Sequence, residues 1–189
     1  HKDVNITAIC DVAEFWDNTE LYYQHHGGRG PALQVIEEHF RQNGSAYRSR
    51  PGCKVYVDFR KMLEKSDKDI DAVLIAAPNH IHAVATVAAM HASKGVYCEK
   101  PLTYSVYESR MVATLARKTK VATQMGNHGH SSDDIRRAVE WVRAGAIGKI
   151  RKVYCWAPEN KLVKFHERPN ATPPVPDGLH WDLWLGPAP

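Results

Sequence analysis

What the sequence does not contain narrows it first. No apolar run approaches the ~20 residues of a membrane span, so no membrane partner is expected. No block of lysines and arginines stands out. The net charge of +4 comes from basic residues scattered among acids, which excludes a nucleic-acid-binding tail and leaves no nucleic-acid partner expected. There is no CxxC pair. The four cysteines (Cys10, Cys53, Cys98 and Cys155) lie far apart and read as buried thiols rather than a disulfide framework. Internal repeats and low-complexity segments are also missing, which excludes solenoid and propeller architectures. With 189 residues, 43% hydrophobic and 24% charged, the chain has the composition of a globular protein. It is long enough for one domain with a core, or for one domain and part of another. It opens on His1 and runs almost at once into an apolar segment, and no localisation is read from it.

The pattern that is present alternates short apolar runs with amphipathic stretches. Residues 5–10 read as a strand ending at Asp11. A polar, aromatic, Gly-rich stretch follows to Pro51, with a helical piece over 33–41. Val55–Val57 reads as a strand, and Asp58 as the cap of a helix Phe59–Lys65. The continuous apolar run 71–77 predicts a strand buried on both faces. A helix to about Ser93 follows, with Ile81, Val84, Val87 and Ala88 facing inward and Gly95 past its end. Val96–Cys98 is the next strand. Ser105 and Glu108 have capping-box spacing and open a helix through Lys118. Val121–Met125 is a strand. Ser132 starts a helix with Ile135, Ala138, Val139 and Val142 on one face, and Gly145 ends it. Ile150–Trp156 reads as a last strand. From Lys161 the chain turns Pro- and Trp-rich, an extended connection in which Trp181, Trp184 and Leu185 need burial. Strands alternating with helices predict an α/β fold, a doubly wound parallel sheet.

In such sheets ligands bind beyond the carboxyl ends of the strands. The residues there are Asp11, then Pro78-Asn79-His80-Ile81-His82, then Glu99-Lys100-Pro101, then Gly126-Asn127-His128-Gly129-His130. All four tips are polar. An acid at the position of Asp11 accepts hydrogen bonds from a ribose diol and repels a 2′-phosphate, which favours NAD over NADP. The alternative for Asp11 is a turn or a helix cap. A Gly-rich phosphate-binding turn is expected about 20 residues before such an acid, but only 10 residues precede Asp11. The run His25–Gly30 follows Asp11 with no strand leading into it and reads as a loop. The pairs His80/His82 and His128/His130 are expected to line the crevice; with no acid ligands in view, no metal site is assigned. Pro101 restricts Lys100 to extended geometry and leaves a cis Lys100–Pro101 bond open, which would aim the lysine.

These residues carry a specific resemblance. The segments "VDFRKMLE" (57–64), "DAVLIAAPNHIHAVATVAAMHASKGVYCEKPLTYSVYES" (71–109), "VATQMGNHGHS" (121–131), "IRRAVEWVRAGAIGKIRKVYCW" (135–156) and "PPVPDGLHWDLWLGPAP" (173–189) resemble the Gfo/Idh/MocA oxidoreductases, the glucose–fructose oxidoreductase and inositol dehydrogenase group. The likeness runs from Asn5 to Pro189, except about 14–54, which looks like an insertion. It implies an NAD-binding Rossmann domain over 1–127, its first strand and turn missing. The start of a second α/β substrate and oligomerisation domain would cover 128–189. It implies NAD (NADP less so), a small carbohydrate substrate and a homo-oligomer, dimer or tetramer. By position, Asp11 would hold the adenosine ribose, Pro78, Asn79 and His82 would line the dinucleotide, and Glu99 would contact the nicotinamide ribose. Lys100 would be catalytic and bond the substrate hydroxyl. Gln124 and Asn127 would lie by the nicotinamide or substrate, and His128 would face the substrate.

The family's second-domain D-x-x-x-H segment is not matched by Asp177 and His180, whose spacing is three. The resemblance therefore implies an internal fragment with about half of the cofactor site, not expected to turn over substrate alone. The activity implied for the complete protein is NAD-dependent oxidation of a secondary alcohol of a sugar, polyol or sugar derivative. The alternatives are an NAD-retaining glycoside-cleaving enzyme of the same family and a non-catalytic NAD-binding regulator or scaffold.

Overall fold

The computed structural model describes residues 4–19, 25–42, 52–156 and 170–188. The chain divides into two compact units: His1–Gly126 with Val175–Pro189, and Asn127–Pro174. The first unit thus includes the terminal residues 175–189, which the resemblance places with the second domain.

Within the first unit, strand β1 (Ala8–Cys10) is followed by two short antiparallel strands, β2 (Trp16–Asp17) and β3 (His26–Gly27), and by helix α1 (Arg29–Gln42). Strand β4 (Lys54–Tyr56) then pairs parallel with β1. Helix α2 (Phe59–Lys65) begins at Asp58, whose carboxylate accepts from Arg60 N–H, as the sequence predicts. Beyond a short 3-10 turn the chain winds as β5 (Ala72–Ile75), α3 (Asn79–His91), β6 (Gly95–Glu99), α4 (Val106–Thr119) and β7 (Thr123–Gly126). These last three strands form one parallel sheet in sequence order. The α/β expectation holds: parallel strands with helical crossovers in a Rossmann-like arrangement. The sheet is not continuous, because β1 pairs with β4 and β5 with β6 but not with each other. In a doubly wound order of 3-2-1-4-5-6 the joining strand is the first one, and no described residue forms it.

Local capping explains the start of α4 as it does that of α2. Ser105 accepts from Glu108 N–H while the Glu108 carboxylate accepts from Ser105 N–H, a complete capping box opening α4. Lys120 closes that helix in the left-handed conformation, φ 56°.

The core lies between one face of β5 and β6 and helices α3 and α4. Ile75, Ile81, Ala85, Ala89, Met90, Val96, Cys98 and Val112 are buried there. Two sequence expectations about faces are corrected. Strand β5 is not buried on both sides: Leu74 is 70% exposed beside half-exposed Tyr97, its partner in register. A parallel strand reads as a continuous apolar run whether or not both faces are covered here. Helix α3 turns Ala85, Ala89 and Met90 inward with His82 and Thr86, while Val84 is exposed. Small side chains let α3 approach the sheet and α4, so the buried stripe is not the most apolar one. The thiol expectation is also corrected, since only Cys98 is fully buried; all four cysteines are free and Cys155 is exposed.

The second unit contains a 3-10 turn at His128–Ser131 and helix α5 (Asp133–Arg143), capped by Ser132 and followed by Gly145 at φ 73°. Ile135, Val139 and Val142, the predicted apolar face of α5, remain over 40% exposed. The expected strand Ile150–Trp156 does not form: residues 151–156 make no ladder, and a strand without a neighbour is not stable. The expected change of character beginning at Lys161 lies outside the described residues as far as 169. Back in the first unit, Trp181–Leu185 form a short helix, α6, where an extended connection is expected. No helix among the described residues is long and apolar enough to cross a membrane.

Candidate functional site at the strand exits

The parallel ladders place the carboxyl ends of the strands, and Asp11, Pro78, Asn79, Glu99 and Lys100 sit at or beside such an end. Asp11 follows β1. Its N–H continues the ladder to Tyr56 O at 3.1 Å, and its Oδ1 accepts from Ala13 N–H at 2.9 Å, a local turn that fixes the carboxylate at the exit. The side chain of Arg29 lies behind this turn, nearly buried. Its Nη1 donates to Asp11 O and its Nη2 to Glu14 Oε2, both at 2.6 Å. Burial, with the Asp58 and Asp11 carboxylates adding to it and Arg29 opposing, pushes the Cys10 thiol up to about 12.

The run His25–Gly30, expected as a loop, is the entry to α1, and the helix starts at Arg29, earlier than the predicted 33. Gly28 adopts φ 97°, and a Cβ there would stand 2.7 Å from Glu14 O. The N–H groups of Arg29 and Gly30 donate to Ala13 O and Glu14 O, each at 3.0 Å. The first donors of α1 are thus spent inside the protein instead of cradling a phosphate.

Pro78 is the N-cap of α3 and Asn79 its first residue, both exposed at the exit of β5. His82, one turn on, is 2% exposed. Its Nδ1 lies 2.6 Å from Pro101 O and its Nε2 2.7 Å from Ala77 O. Both ring nitrogens thus face backbone carbonyls inside the protein.

Glu99 ends β6 opposite Gly126, the end of β7. Its carboxyl group lies directly over Gly126: a Cβ on that glycine would stand 2.6 Å from Glu99 Cδ and Oε2 and 2.8 Å from Oε1. Lys100 N–H donates to Gly126 O at 3.1 Å, so the lysine backbone is tied to β7. The Lys100–Pro101 bond is cis. The Lys100 side chain is exposed, and its Nζ makes no ion pair or hydrogen bond among the described residues. Gln124 sits within β7, opposite Tyr97 and two residues short of the exit, with its amide donating to Met125 O. Asn127 and His128 follow Gly126 directly in the chain and belong to the second unit. No group of three or more metal-ligating residues comes together among the described residues.

Sequence reasoning missed two features of this region. One is Arg29, brought to Asp11 from 18 residues away. The other is the terminal segment 178–186. Glu14 N–H donates to Gly178 O and His180 N–H to Val12 O, both at 3.0 Å. Further along, His80 Nε2 lies 2.7 Å from Trp184 O, the His80 and Trp184 rings meet edge to face, and Trp181 stacks on Trp184. This segment therefore links the exit of β1 to the first turn of α3. Gly186, at φ 54° with a would-be Cβ 2.5 Å from Ile81 Cδ1, was the available signal. A shallow depression on the outer surface of α1, lined by Gln34, Glu38 and His39 among others, borders none of the strand exits.

The chain matches the oxidoreductase family GFO_IDH_MocA, NAD-binding Rossmann fold, over residues 13–127, more than half its length. It is similar to the levoglucosan dehydrogenase of Pseudarthrobacter phenanthrenivorans, 32% identical over 93 residues, which cover 49% of this chain and 23% of that protein. It is similar to the inositol 2-dehydrogenase of Rhodococcus jostii, 26% identical over 132 residues, covering 67% of this chain and 35% of that one. Among solved structures, the myo-inositol 2-dehydrogenase of Lactobacillus plantarum superposes with a TM-score of 0.55 at 26% identity, covering 78% of this chain and 35% of that one. The chain thus spans about a third or less of the length of the relatives it matches.

Proposed function

Because the chain belongs to the Gfo/Idh/MocA family of oxidoreductases with an NAD-binding Rossmann fold, we propose that it is the cofactor-binding part of an NAD-dependent oxidoreductase. The complete protein takes hydride from a secondary alcohol of a sugar, polyol or sugar derivative. The observation that carries the reading is the exit of β6. A Glu99 carboxylate is laid over Gly126, beside a Lys100 whose backbone is held and whose side chain has no partner among the described residues.

The residues present fit the dinucleotide. Asp11 is exposed at the end of a parallel strand, and a carboxylate there accepts from a ribose diol. Arg29, which donates to Asp11 O and Glu14 Oε2, is spent on those contacts and is not free for a 2′-phosphate, which favours NAD over NADP. Glu99 would accept from the nicotinamide ribose, and Pro78 and Asn79 would flank the dinucleotide. Asn127, Gln124 and His128 are proposed at the nicotinamide and substrate end on the family resemblance. When bound, the nicotinamide supplies the hydride acceptor.

Lys100 Nζ donates to the substrate oxygen and stabilises the negative charge that builds there as the carbon loses hydride. The hydroxyl proton leaves through an acid/base group of the D-x-x-x-H type, outside this chain. A small carbohydrate substrate and a homo-oligomeric complete protein, dimer or tetramer, rest on the same resemblance. So does the assignment of 1–127 to the Rossmann domain and 128–189 to the start of the second.

The test is turnover by the complete protein with NAD and a panel of sugars and inositols, followed by the absorbance of reduced nicotinamide. The Lys100→Ala variant is expected to lose turnover and to keep its NAD affinity within about threefold, because its role is at the substrate oxygen. Undiminished turnover in that variant would refute the assignment.

A further inference from the structure

The ring of His82 is almost fully buried, yet both nitrogens meet carbonyl oxygens belonging to two different strand exits: Ala77, just past β5, and Pro101, just past β6. Carbonyl oxygens only accept, so each contact is a hydrogen bond when its nitrogen carries the hydrogen. On the other side of the same turn, Lys100 N–H donates to Gly126 O at the exit of β7. Ala77, His82, Pro101, Lys100 and Gly126 thus form one continuous line of contacts across three strand exits. One tie is on Lys100 N–H and the other on the carbonyl of the next residue, Pro101, while the Lys100 side chain has no partner among the described residues to hold it in place.

We propose that His82 is a positioning residue that sets the Lys100–Pro101 turn through its Nδ1 contact with Pro101 O. It touches neither cofactor nor substrate. This deepens the proposed role of Lys100 and rests on that reading, but the turn can be measured without any turnover. The chemistry of the ring supplies a discriminating pair of variants. In asparagine the amide nitrogen is separated from Cβ by one atom, like Nδ1 of histidine. In glutamine it is separated by two, like Nε2. His82→Asn therefore keeps a donor for Pro101 O and gives up Ala77 O, and His82→Gln does the reverse.

The experiment is amide hydrogen exchange by mass spectrometry on the complete protein, comparing the wild type with both variants and reading the peptide that contains Glu99–Ser105 against peptides from α4. In His82→Gln the Lys100 turn is expected to exchange about tenfold faster, the loss of one buried hydrogen bond. Helix α4 should be unchanged, and His82→Asn should stay near wild type. Equal loosening in both variants, a rise spread evenly over α4, or wild-type exchange in His82→Gln would overturn the proposal. Should His82→Gln fail to fold, His82→Asn still decides: loss of protection at the turn in that variant refutes the Nδ1 assignment. Where the complete protein turns over a polyol, His82→Gln is further expected to lower kcat by roughly tenfold to a hundredfold with NAD affinity unchanged, as a misplaced reacting group would. A complete protein without turnover would sink the oxidoreductase reading and leave the exchange result standing.

Discussion

Gly126→Ala isolates what the carboxylate of Glu99 does, because it displaces that group without removing it. The added Cβ would stand 2.6 Å from Glu99 Cδ and Oε2, so one of the two must move. The obstacle is the end of a flexible side chain, and turning it off its preferred rotamer costs about 0.5–1.5 kcal/mol. Against that, alanine in a strand is favoured over glycine by roughly 0.5–1 kcal/mol. The two nearly cancel, so the stability of the variant should lie within about 1 kcal/mol of wild type. Binding should not be spared. A carboxylate moved off the glycine gives up a hydrogen bond to a ribose hydroxyl, and a bond to a charged group contributes about 1.5–3 kcal/mol. That corresponds to roughly a tenfold to a hundredfold weaker Kd for NAD. The assay is isothermal titration of NAD into the complete protein, with a thermal melt of the same sample and Glu99→Gln as a control that keeps the shape and removes the charge. A Kd within twofold of wild type in Gly126→Ala would refute the placement of Glu99 on the cofactor. A collapsed melting transition would show instead that Gly126 serves packing.

Two further outcomes concern the cap of α4 and the cysteines. Ser105→Ala removes half of the capping box of α4 and should cost about 1 kcal/mol, read as a lower midpoint in a urea melt; an unchanged midpoint would show that the cap is dispensable. Under mild alkylation near pH 8, Cys155, which is exposed, should be modified first. Cys10, pushed up to about 12 by burial and the nearby carboxylates, and Cys98, raised by burial, should remain as unreactive thiols because little thiolate forms at that pH. Mass spectrometry of tryptic peptides reads the order, and early labelling of Cys10 would contradict its environment.

The features legible in the sequence are those decided by neighbours in the chain. Asp58 caps α2, Ser105 and Glu108 close a reciprocal box, and Ser132 starts α5, because each needs partners only two or three residues away. Features decided by what packs from elsewhere were not legible. Leu74 belongs to an apolar run but lies on the uncovered side of the sheet, and Val84 is outranked at the interface by alanines that fit closer. Ile150–Trp156 has a strand-like pattern, yet pattern alone supplies no partner for its backbone. Trp181 and Trp184 demand burial by their size, but stacking on each other and the edge-to-face contact of Trp184 with His80 meet part of that demand in a short helix.

The same distinction explains why the candidate site was half visible. Parallel pairing puts the exits of β1 and β4 at one end of their pair and those of β5, β6 and β7 at one end of theirs, so Asp11, Asn79, Glu99 and Lys100 could be named from the strand pattern. What arranges them spans long separations: Arg29 behind Asp11, Gly126 under Glu99, and His82 between Ala77 and Pro101. Polar residues at an exit are common to many sheets. A carboxylate seated over a glycine, next to a lysine whose N–H is tied to the exit of β7 and whose following proline carbonyl meets a buried histidine, is a much narrower arrangement. It constrains where the charge of Glu99 and the stem of Lys100 begin, and a free lysine at a loop tip would not have that constraint. The discriminating weight therefore falls on Gly126 and His82, residues that would touch neither cofactor nor substrate, rather than on the charged groups they hold in place.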